Sequence, residues 1–265
     1  MMTAGRYYKH GFVLWVVLFA VGCGSSLDLD RLSSGDIERV KKLLGKLSPV
    51  IEHTREQGQL ATLTLDELYA GLDEDERGLL RSFESLDAKD LNVWIPYRGM
   101  GSCAEELVVI KGQMVKGKEG VKELPPQFLP RRVYASYVRM MEVMRKDIGR
   151  GLYVESGYRS SAYQLYLFVS YLGEHDYSVR ETARFVALPG YSEHGDPEHQ
   201  AIDFVNEEGI NGQDNVRDFE ELAEYKWLLV NAGKFGFVLS YPRGSKEGVS
   251  FEPWHWRHEK RIASK

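Results

Sequence analysis

The pattern of apolar and polar positions near the start of the chain is helical. Five apolar residues share one face of a 3.6-residue repeat: Ile37, Val40, Leu43, Leu44 and Leu47. Because proline lacks the amide donor that a helix interior requires, we expect Pro49 to interrupt this helix. The motif TLDE at residues 64–67 is a capping box that predicts a second helix, and the acidic first turn of DEDERGLLRSF predicts a third. Residues 37–103 are therefore interpreted as a helical accessory region.

Near position 104 the pattern changes to a mixture of short strands and helices. Strands are predicted for the runs ELVVI, GLYVES, QAIDFV, FVLSYP and VSFEPWHW, which are rich in β-branched and aromatic residues. Helices are predicted for RRVYASYVRMMEVMRKDI and for residues 161–172 and 219–234. Because the two kinds of element do not alternate regularly, the fold class predicted is α+β. We expect residues 104–265 to form a catalytic domain with a small antiparallel sheet and flanking helices.

The start of the chain has the features of an export signal. Two basic residues precede an apolar run from Gly11 to Gly22, which ends at Cys23. This run is shorter than the roughly 20 residues that span a bilayer. The tetrapeptide AVGC resembles the lipobox of bacterial lipoproteins, although Ala20 stands where that pattern prefers leucine. The resemblance implies cleavage before Cys23 and lipid attachment to its thiol; the alternative is an uncleaved anchor with Cys23 as a bystander.

This interpretation predicts the localisation of the protein and its attachment to a membrane. Residues 1–22 are then the signal peptide, and residues 23–36 are a polar tether. A lipid on Cys23 would anchor the protein to a membrane, outside the cytoplasm and on the periplasmic side. Gly24 and Ser25 offer no aspartate to retain it at an inner membrane, which is consistent with an outer membrane. A formal net charge of −5 argues against a nucleic-acid partner, since no basic excess exists to neutralise phosphates. The sequence indicates no oligomeric state.

Candidate chemistry begins with an acid inside an apolar strand. Asp203 lies within QAIDFV, where a buried carboxylate is unfavourable unless it is paired or coordinates a metal. His194 and His199 precede it closely. Imidazole and carboxylate together are suitable ligands for zinc. These residues therefore predict part of a metal site.

The second half of the predicted site lies in the C-terminal stretch FEPWHWRH. Glu252 and His255 are three residues apart, and the bend expected at Pro253 allows them to converge on one centre. His255 is then the third ligand and Glu252 the base that moves a proton from water. Arg159, at the turn into a predicted helix, is suited to a substrate carboxylate or a developing oxyanion, although a lone arginine is more often a surface ion pair.

Four segments occur in an order that resembles the VanY-type zinc D-alanyl-D-alanine carboxypeptidases. They are SGYRSSAYQ, SEH…AIDF, WLLVNAGKFGFVLSYP and EPWHWR, and they extend over about residues 104–257. The resemblance implies an α+β domain that holds Zn²⁺ through His194, Asp203 and His255. It also implies that Glu252 is the general base and that Arg159 anchors the substrate or polarises its carbonyl. Two further positions match residues that shape the substrate site: Gln164 and Ser192.

One segment departs from the family pattern. The motif S-x-H-x-x-G-x-A-x-D is two residues longer here, in SEHGDPEHQAID. Counted back from Asp203, His199 stands where the glycine of the motif would fall, so both histidines are candidate ligands. We prefer His194, because Ser192 precedes it at the spacing of the motif and the extra residues can bulge at Asp196 and Pro197.

These observations predict a zinc metallopeptidase that acts on peptidoglycan stem peptides and removes a C-terminal D-alanine. An L,D-carboxypeptidase or a peptidoglycan endopeptidase with the same zinc chemistry is the first alternative, since Arg159 does not separate them. A non-catalytic wall-binding lipoprotein is the second. The presence of Glu252 argues against it, because a binding module has no need for a general base.

Overall fold

The structure is a computed structural model that describes residues 27–117, 120–196, 198–212 and 216–259. The predicted signal peptide, Cys23 and the start of the tether lie outside the described residues. Within those ranges there are eight α-helices: α1 (Ser34–Glu56), α2 (Leu65–Tyr69), α3 (Glu74–Glu84), α4 (Arg131–Ile148), α5 (Ser161–Tyr171), α6 (Val179–Thr182), α7 (Val216–Glu221) and α8 (Ala223–Asn231). None of these described helices is both long and apolar enough to cross a bilayer.

The described ranges also contain eight strands: β1 (Leu107–Ile110), β2 (Met114–Gly117), β3 (Gly120–Glu123), β4 (Gln127–Pro130), β5 (Leu152–Ser156), β6 (Ala201–Asn206), β7 (Phe237–Leu239) and β8 (His255–His258). Four of them form an antiparallel sheet in the order β5-β6-β8-β7, while β1 pairs with β4 and β2 with β3. The prediction of an α+β fold with a small antiparallel sheet is confirmed.

The N-terminal helices share a hydrophobic core with α5. Leu43 and Leu47 of α1 and Phe83 of α3 are buried in one cluster with Leu165 and Phe168 of α5. The rings of Phe83 and Phe168 lie 6.4 Å apart between centroids. Burial of large apolar side chains is the main favourable contribution to such packing, so α1 and α3 are held on the rest of the chain by a continuous core.

The predicted interruption of the first helix at Pro49 is wrong. α1 continues through this residue to Glu56, and its apolar face extends to Ile51. A proline inside a helix is unfavourable by about 3 kcal/mol because a backbone hydrogen bond is lost. Full burial of Leu47 and Ile51 on either side of Pro49 offsets that loss.

Two other predicted elements are divided or shortened. The helix predicted for residues 219–234 consists of α7, α8 and a 3₁₀ turn, with a break at Leu222. It ends at Gly236, whose φ of 86° lies in the left-handed region that glycine favours. The strand predicted for residues 249–256 begins only at His255, because the chain turns at Pro253 and Trp254.

A second core holds the four-stranded sheet. Residues of α4 and α8 bury one face of the strands, in a cluster that includes Met140, Leu228, Ile202, Phe204 and Trp256. Side chains alternate along a strand, so the neighbours of these residues in β6 and β8 point to the other face. That second face carries the candidate site.

We expect Phe83→Ala to lower the free energy of unfolding by about 3–5 kcal/mol, because it leaves a cavity between α3 and α5. Urea denaturation of the whole chain, followed by circular dichroism, measures this change. The control is Val50→Ala, which alters an exposed position of α1 and should change stability by less than about 0.5 kcal/mol. If Phe83→Ala left the main transition unchanged, the N-terminal helices would not share a cooperative core with α5.

Candidate metal centre

Strand register brings an acid and a histidine together. Asp203 in β6 is the Cα partner of His255 in β8. Because Ile202 and Phe204 point into the apolar core, Asp203 points to the opposite face. Its Oδ1 lies 2.8 Å from Nδ1 of His255, across 52 residues of sequence. Pairing of the two strands thus creates a carboxylate–imidazole contact.

His194 reaches the same point from a one-turn 3₁₀ helix, Glu193–Gly195. Ser192 precedes this turn, and its Oγ accepts a hydrogen bond from the backbone N–H of His194 at 3.3 Å. The ring Nδ1 of His194 donates to the carbonyl of Gly157 at 2.7 Å, which leaves Nε2 with its lone pair. Glycine is required at 157, since a Cβ there would lie 2.2 Å from the carbonyl oxygen of Phe128.

Three potential ligand atoms converge at this point. One atom each of His194, Asp203 and His255 lies within 4.8 Å of the others, and all three residues are buried. His194 Nε2 is 3.1 Å from Asp203 Oδ2, yet it makes no hydrogen bond. A buried nitrogen with a free lone pair fits a metal ion. Two imidazoles and one carboxylate are suitable ligands for a catalytic zinc.

Burial and mutual contact shift the pKa values of these groups. Burial, aided by the charge of Arg159, lowers the pKa of His194 to about 4, so its ring is neutral near pH 7 as a ligand must be. Burial alone would raise the pKa of Asp203, but His194 and His255 hold it well below the ordinary value. Burial alone would lower the pKa of His255, but its hydrogen bond to Asp203 helps to raise it to about 10. Metal binding at His255 therefore has to release a proton.

Glu252 lies in the turn before β8. Its backbone N–H donates to the carbonyl of Tyr241 at 3.2 Å, and its own carbonyl accepts from the N–H of His255 at 3.2 Å. The side chain is buried, with Oε2 at 3.7 Å from His255 Nδ1. Burial raises the pKa of Glu252 to about 8, opposed by the charge of His255 and reinforced by that of Asp203. A carboxyl group with a pKa near neutrality can both accept and release a proton.

Arg159 contacts the candidate ligands directly. Its Nη2 donates to Asp203 Oδ2 at 2.6 Å, and its Nε donates to Ser156 Oγ at 2.7 Å. Its backbone N–H donates to the carbonyl of His194 at 3.1 Å. The guanidinium therefore lies at the edge of the three-residue group, where it adds positive charge.

A cleft of about 720 Å³ extends along these residues. Gln164 and Ser192 are among its lining residues, and Gln164 is fixed by donating from Nε2 to the carbonyl of Ala187 at 2.7 Å. The helical accessory region contributes part of the wall through Arg55 and Leu60. Such a volume is typical of ligand sites.

His199, the other candidate ligand, lies apart from this group. Its Nδ1 contacts Oδ2 of Asp196 at 2.9 Å, and its side chain is 43% exposed. Of the two histidines, His194 is the one that contacts Asp203. Of the two positions where the motif is longer, Asp196 contacts His199, and Pro197 lies outside the described residues.

Glu193 is a site residue that the sequence pattern did not single out. It is 2% exposed, and its Oε2 lies 3.1 Å from Nε2 of His255. Burial would raise its pKa, but the hydrogen bond with His255 outweighs burial and the pKa falls to about 2. The one signal in the sequence is the position of Glu193 in SEH, between the candidate site residues Ser192 and His194. Its charge is as unfavourable to bury as that of Asp203.

Comparison with known proteins places the site within a family segment. The family model described as "VanY: D-alanyl-D-alanine carboxypeptidase" matches residues 127–261, just over half of the chain. The protein YodJ of Bacillus subtilis is 35% identical over 141 residues, which cover 51% of this chain and 48% of YodJ. A D-alanyl-D-alanine carboxypeptidase of Enterococcus faecalis is 34% identical over 114 residues, which cover 40% of this chain and 39% of the enterococcal protein. The chain thus spans about half or less of the length of these two relatives.

Among solved structures, the LdcB LD-carboxypeptidase is similar with a TM-score of 0.46 and 24% identity. The aligned region covers 66% of this chain and 79% of LdcB.

The two candidate histidines give a matched pair of variants. We expect His194→Ala to weaken zinc binding by at least about 100-fold, because it removes one of three ligands. His199→Ala should leave zinc affinity within about twofold of wild type. Competition with a chromophoric chelator measures both affinities. The opposite ranking would show that His199 is the ligand and that the loop rearranges to deliver it.

Proposed function

Because this chain belongs to the VanY family of D-alanyl-D-alanine carboxypeptidases, we propose that it is a zinc-dependent peptidase that removes the C-terminal D-alanine from peptidoglycan stem peptides. The observation that carries the proposal is the convergence of His194, Asp203 and His255 within 4.8 Å, with Glu252 beside them in one cleft. Each residue type suits the role that hydrolysis of a peptide bond requires.

The three converging residues would hold the ion. His194 would use Nε2, since its Nδ1 donates to the carbonyl of Gly157. His255 would use Nδ1, the nitrogen that faces Asp203, since its Nε2 contacts Glu193. When bound, zinc would polarise the scissile carbonyl and bring the pKa of a water molecule close to 7.

Glu252 is the proton carrier in this proposal. It takes a proton from the attacking water and returns it to the amine of the departing D-alanine. Its burial excludes bulk water, which keeps the proton between the reacting groups.

Arg159 is the anion-binding group. A guanidinium at the edge of the site can bind the terminal carboxylate of the peptide or the oxyanion that forms during attack. Gln164 and Ser192 line the same cleft, and we assign them to the shape of the substrate site.

The proposal extends to the parts of the chain beyond the family segment. Residues 37–103 act as an accessory region that completes the cleft wall, and residues 104–265 form the catalytic domain. An export signal at 1–22 and a lipid on Cys23 would keep the enzyme outside the cytoplasm beside its substrate. The tether predicted for residues 23–36 would then end where α1 begins, at Ser34.

Glu252→Ala separates catalysis from metal binding. We expect it to lower kcat by about 10²–10⁴-fold, the usual contribution of general acid–base catalysis, while the protein still binds one zinc. Turnover of a synthetic stem pentapeptide and metal analysis of the same sample give the two readouts. Glu208→Ala, at an exposed ion pair with Lys116, is the control. Wild-type turnover by Glu252→Ala would contradict the assigned role.

The function is tested by digestion of defined muropeptides with the zinc-loaded protein, followed by mass spectrometry. We expect the pentapeptide to lose one alanine residue, and we expect a chelator to stop the reaction. Removal of alanine from a tetrapeptide instead would identify an L,D-carboxypeptidase. Cleavage of cross-linked dimers would identify an endopeptidase. Absence of any product from fully metallated protein would favour a wall-binding role.

A further inference from the structure

A line of buried contacts leads from His255 to the accessory region. His255 Nε2 lies 3.1 Å from Oε2 of Glu193, and the other carboxylate oxygen, Oε1, accepts from Nη2 of Arg98 at 2.9 Å. The side chains of Glu193 and Arg98 are 2% and 13% exposed. A carboxylate at that depth is unfavourable unless a positive group pairs with it, and Arg98 supplies that group.

The contact of Glu193 determines which nitrogen of His255 faces the other candidate ligands. A carboxylate accepts hydrogen bonds and does not donate them, so Nε2 of His255 must carry the proton that they share. Nδ1 then faces Asp203, and it offers the lone pair that a metal requires once it gives up its own proton. Partners of this kind orient a ligating histidine and raise its basicity.

Arg98 also holds the loop that follows His194. Its Nη1 donates to Asp196 Oδ2 at 2.6 Å. One guanidinium therefore binds both Glu193, which precedes His194, and Asp196, which follows it. The backbone N–H of Arg98 donates to the carbonyl of Gly190 at 2.7 Å, which fixes the arginine against the start of the same loop.

Arg98 lies outside the segment that matches the VanY family, in the connection between the N-terminal helices and β1. The ring of its neighbour Tyr97 packs against Tyr191 with centroids 5.2 Å apart. This part of the accessory region therefore docks on the loop that carries His194.

We propose that Arg98 and Glu193 are positioning residues of the metal centre, through which the accessory region sets the orientation of His255 and the affinity of the site for its ion. The inference rests on the proposed function, because it takes His255 as a ligand. It adds that part of the metal site is supplied by a region outside the family segment.

Two variants and a control test the inference. Glu193→Gln keeps the shape of the side chain but removes its charge, and Arg98→Met keeps the length of the arginine stem without its donors. Arg131→Met is the control. It removes an exposed ion pair with Glu106, whose length of 2.6 Å equals that of the Arg98–Asp196 pair. The readouts are the zinc dissociation constant from chelator competition and the visible absorption spectrum of the cobalt-substituted protein.

We expect Glu193→Gln to weaken zinc binding by about 10–100-fold and to shift the cobalt spectrum, as loss of a partner of a ligating histidine usually does. Arg98→Met should have the same effect to a smaller degree, because Arg257 Nη1 lies 3.8 Å from the same oxygen of Glu193 and retains part of the positive charge. Arg131→Met should bind zinc like wild type and show an unchanged cobalt spectrum.

A purely structural role gives a different result. In that case Glu193→Gln and Arg98→Met would lower the melting temperature of the metal-free protein but keep the zinc affinity and cobalt spectrum of wild type, which would overturn the inference. If Arg98→Met fails to fold, Glu193→Gln decides by the same criteria. Wild-type protein that binds no zinc would overturn the proposed function itself, whereas normal binding by both variants would overturn this inference alone.

Discussion

The antiparallel register between β6 and β8 is the constraint on which the site depends. It places Asp203 opposite His255, while Ile202, Phe204 and Trp256 enter the apolar core on the other face. A slip of one residue in β6 would turn Asp203 into the core and Ile202 and Phe204 towards the cleft. A slip in β8 would do the same to His255 and Trp256. Hydrophobic burial thus fixes the geometry of a polar site that would be unfavourable to assemble by itself.

Charge balance is the second constraint. Four carboxyl groups are buried around the site, those of Glu193, Asp196, Asp203 and Glu252. Arg98 and Arg159 neutralise part of this charge. The high pKa values of His255, about 10, and Glu252, about 8, mean that protons supply the rest near pH 7. Exchange of two protons for a dication would conserve this balance, and it would leave Glu252 ionised, as a general base must be.

The sequence predicted the class of fold and most of the residues that the structure brings together along the cleft. Short β-rich runs and an acid inside an apolar strand were sufficient to indicate a small sheet and Asp203, because both signals are local. The course of α1 through Pro49 was not predictable, since burial of Ile51 depends on packing against other helices. Spacing alone left His194 and His199 open as candidate ligands; in the structure His194 contacts Asp203, whereas His199 contacts Asp196. Glu193 was missed because its role comes from partners 62 and 95 residues away.

The central claim is that three distant side chains bind one metal ion, and anomalous X-ray diffraction at the zinc edge tests it most directly. Crystals grown with zinc should show one strong peak about 2.0–2.2 Å from His194 Nε2, an oxygen of Asp203 and His255 Nδ1. A peak at His199, or the absence of a peak between β6 and β8 in fully zinc-loaded crystals, would contradict the account.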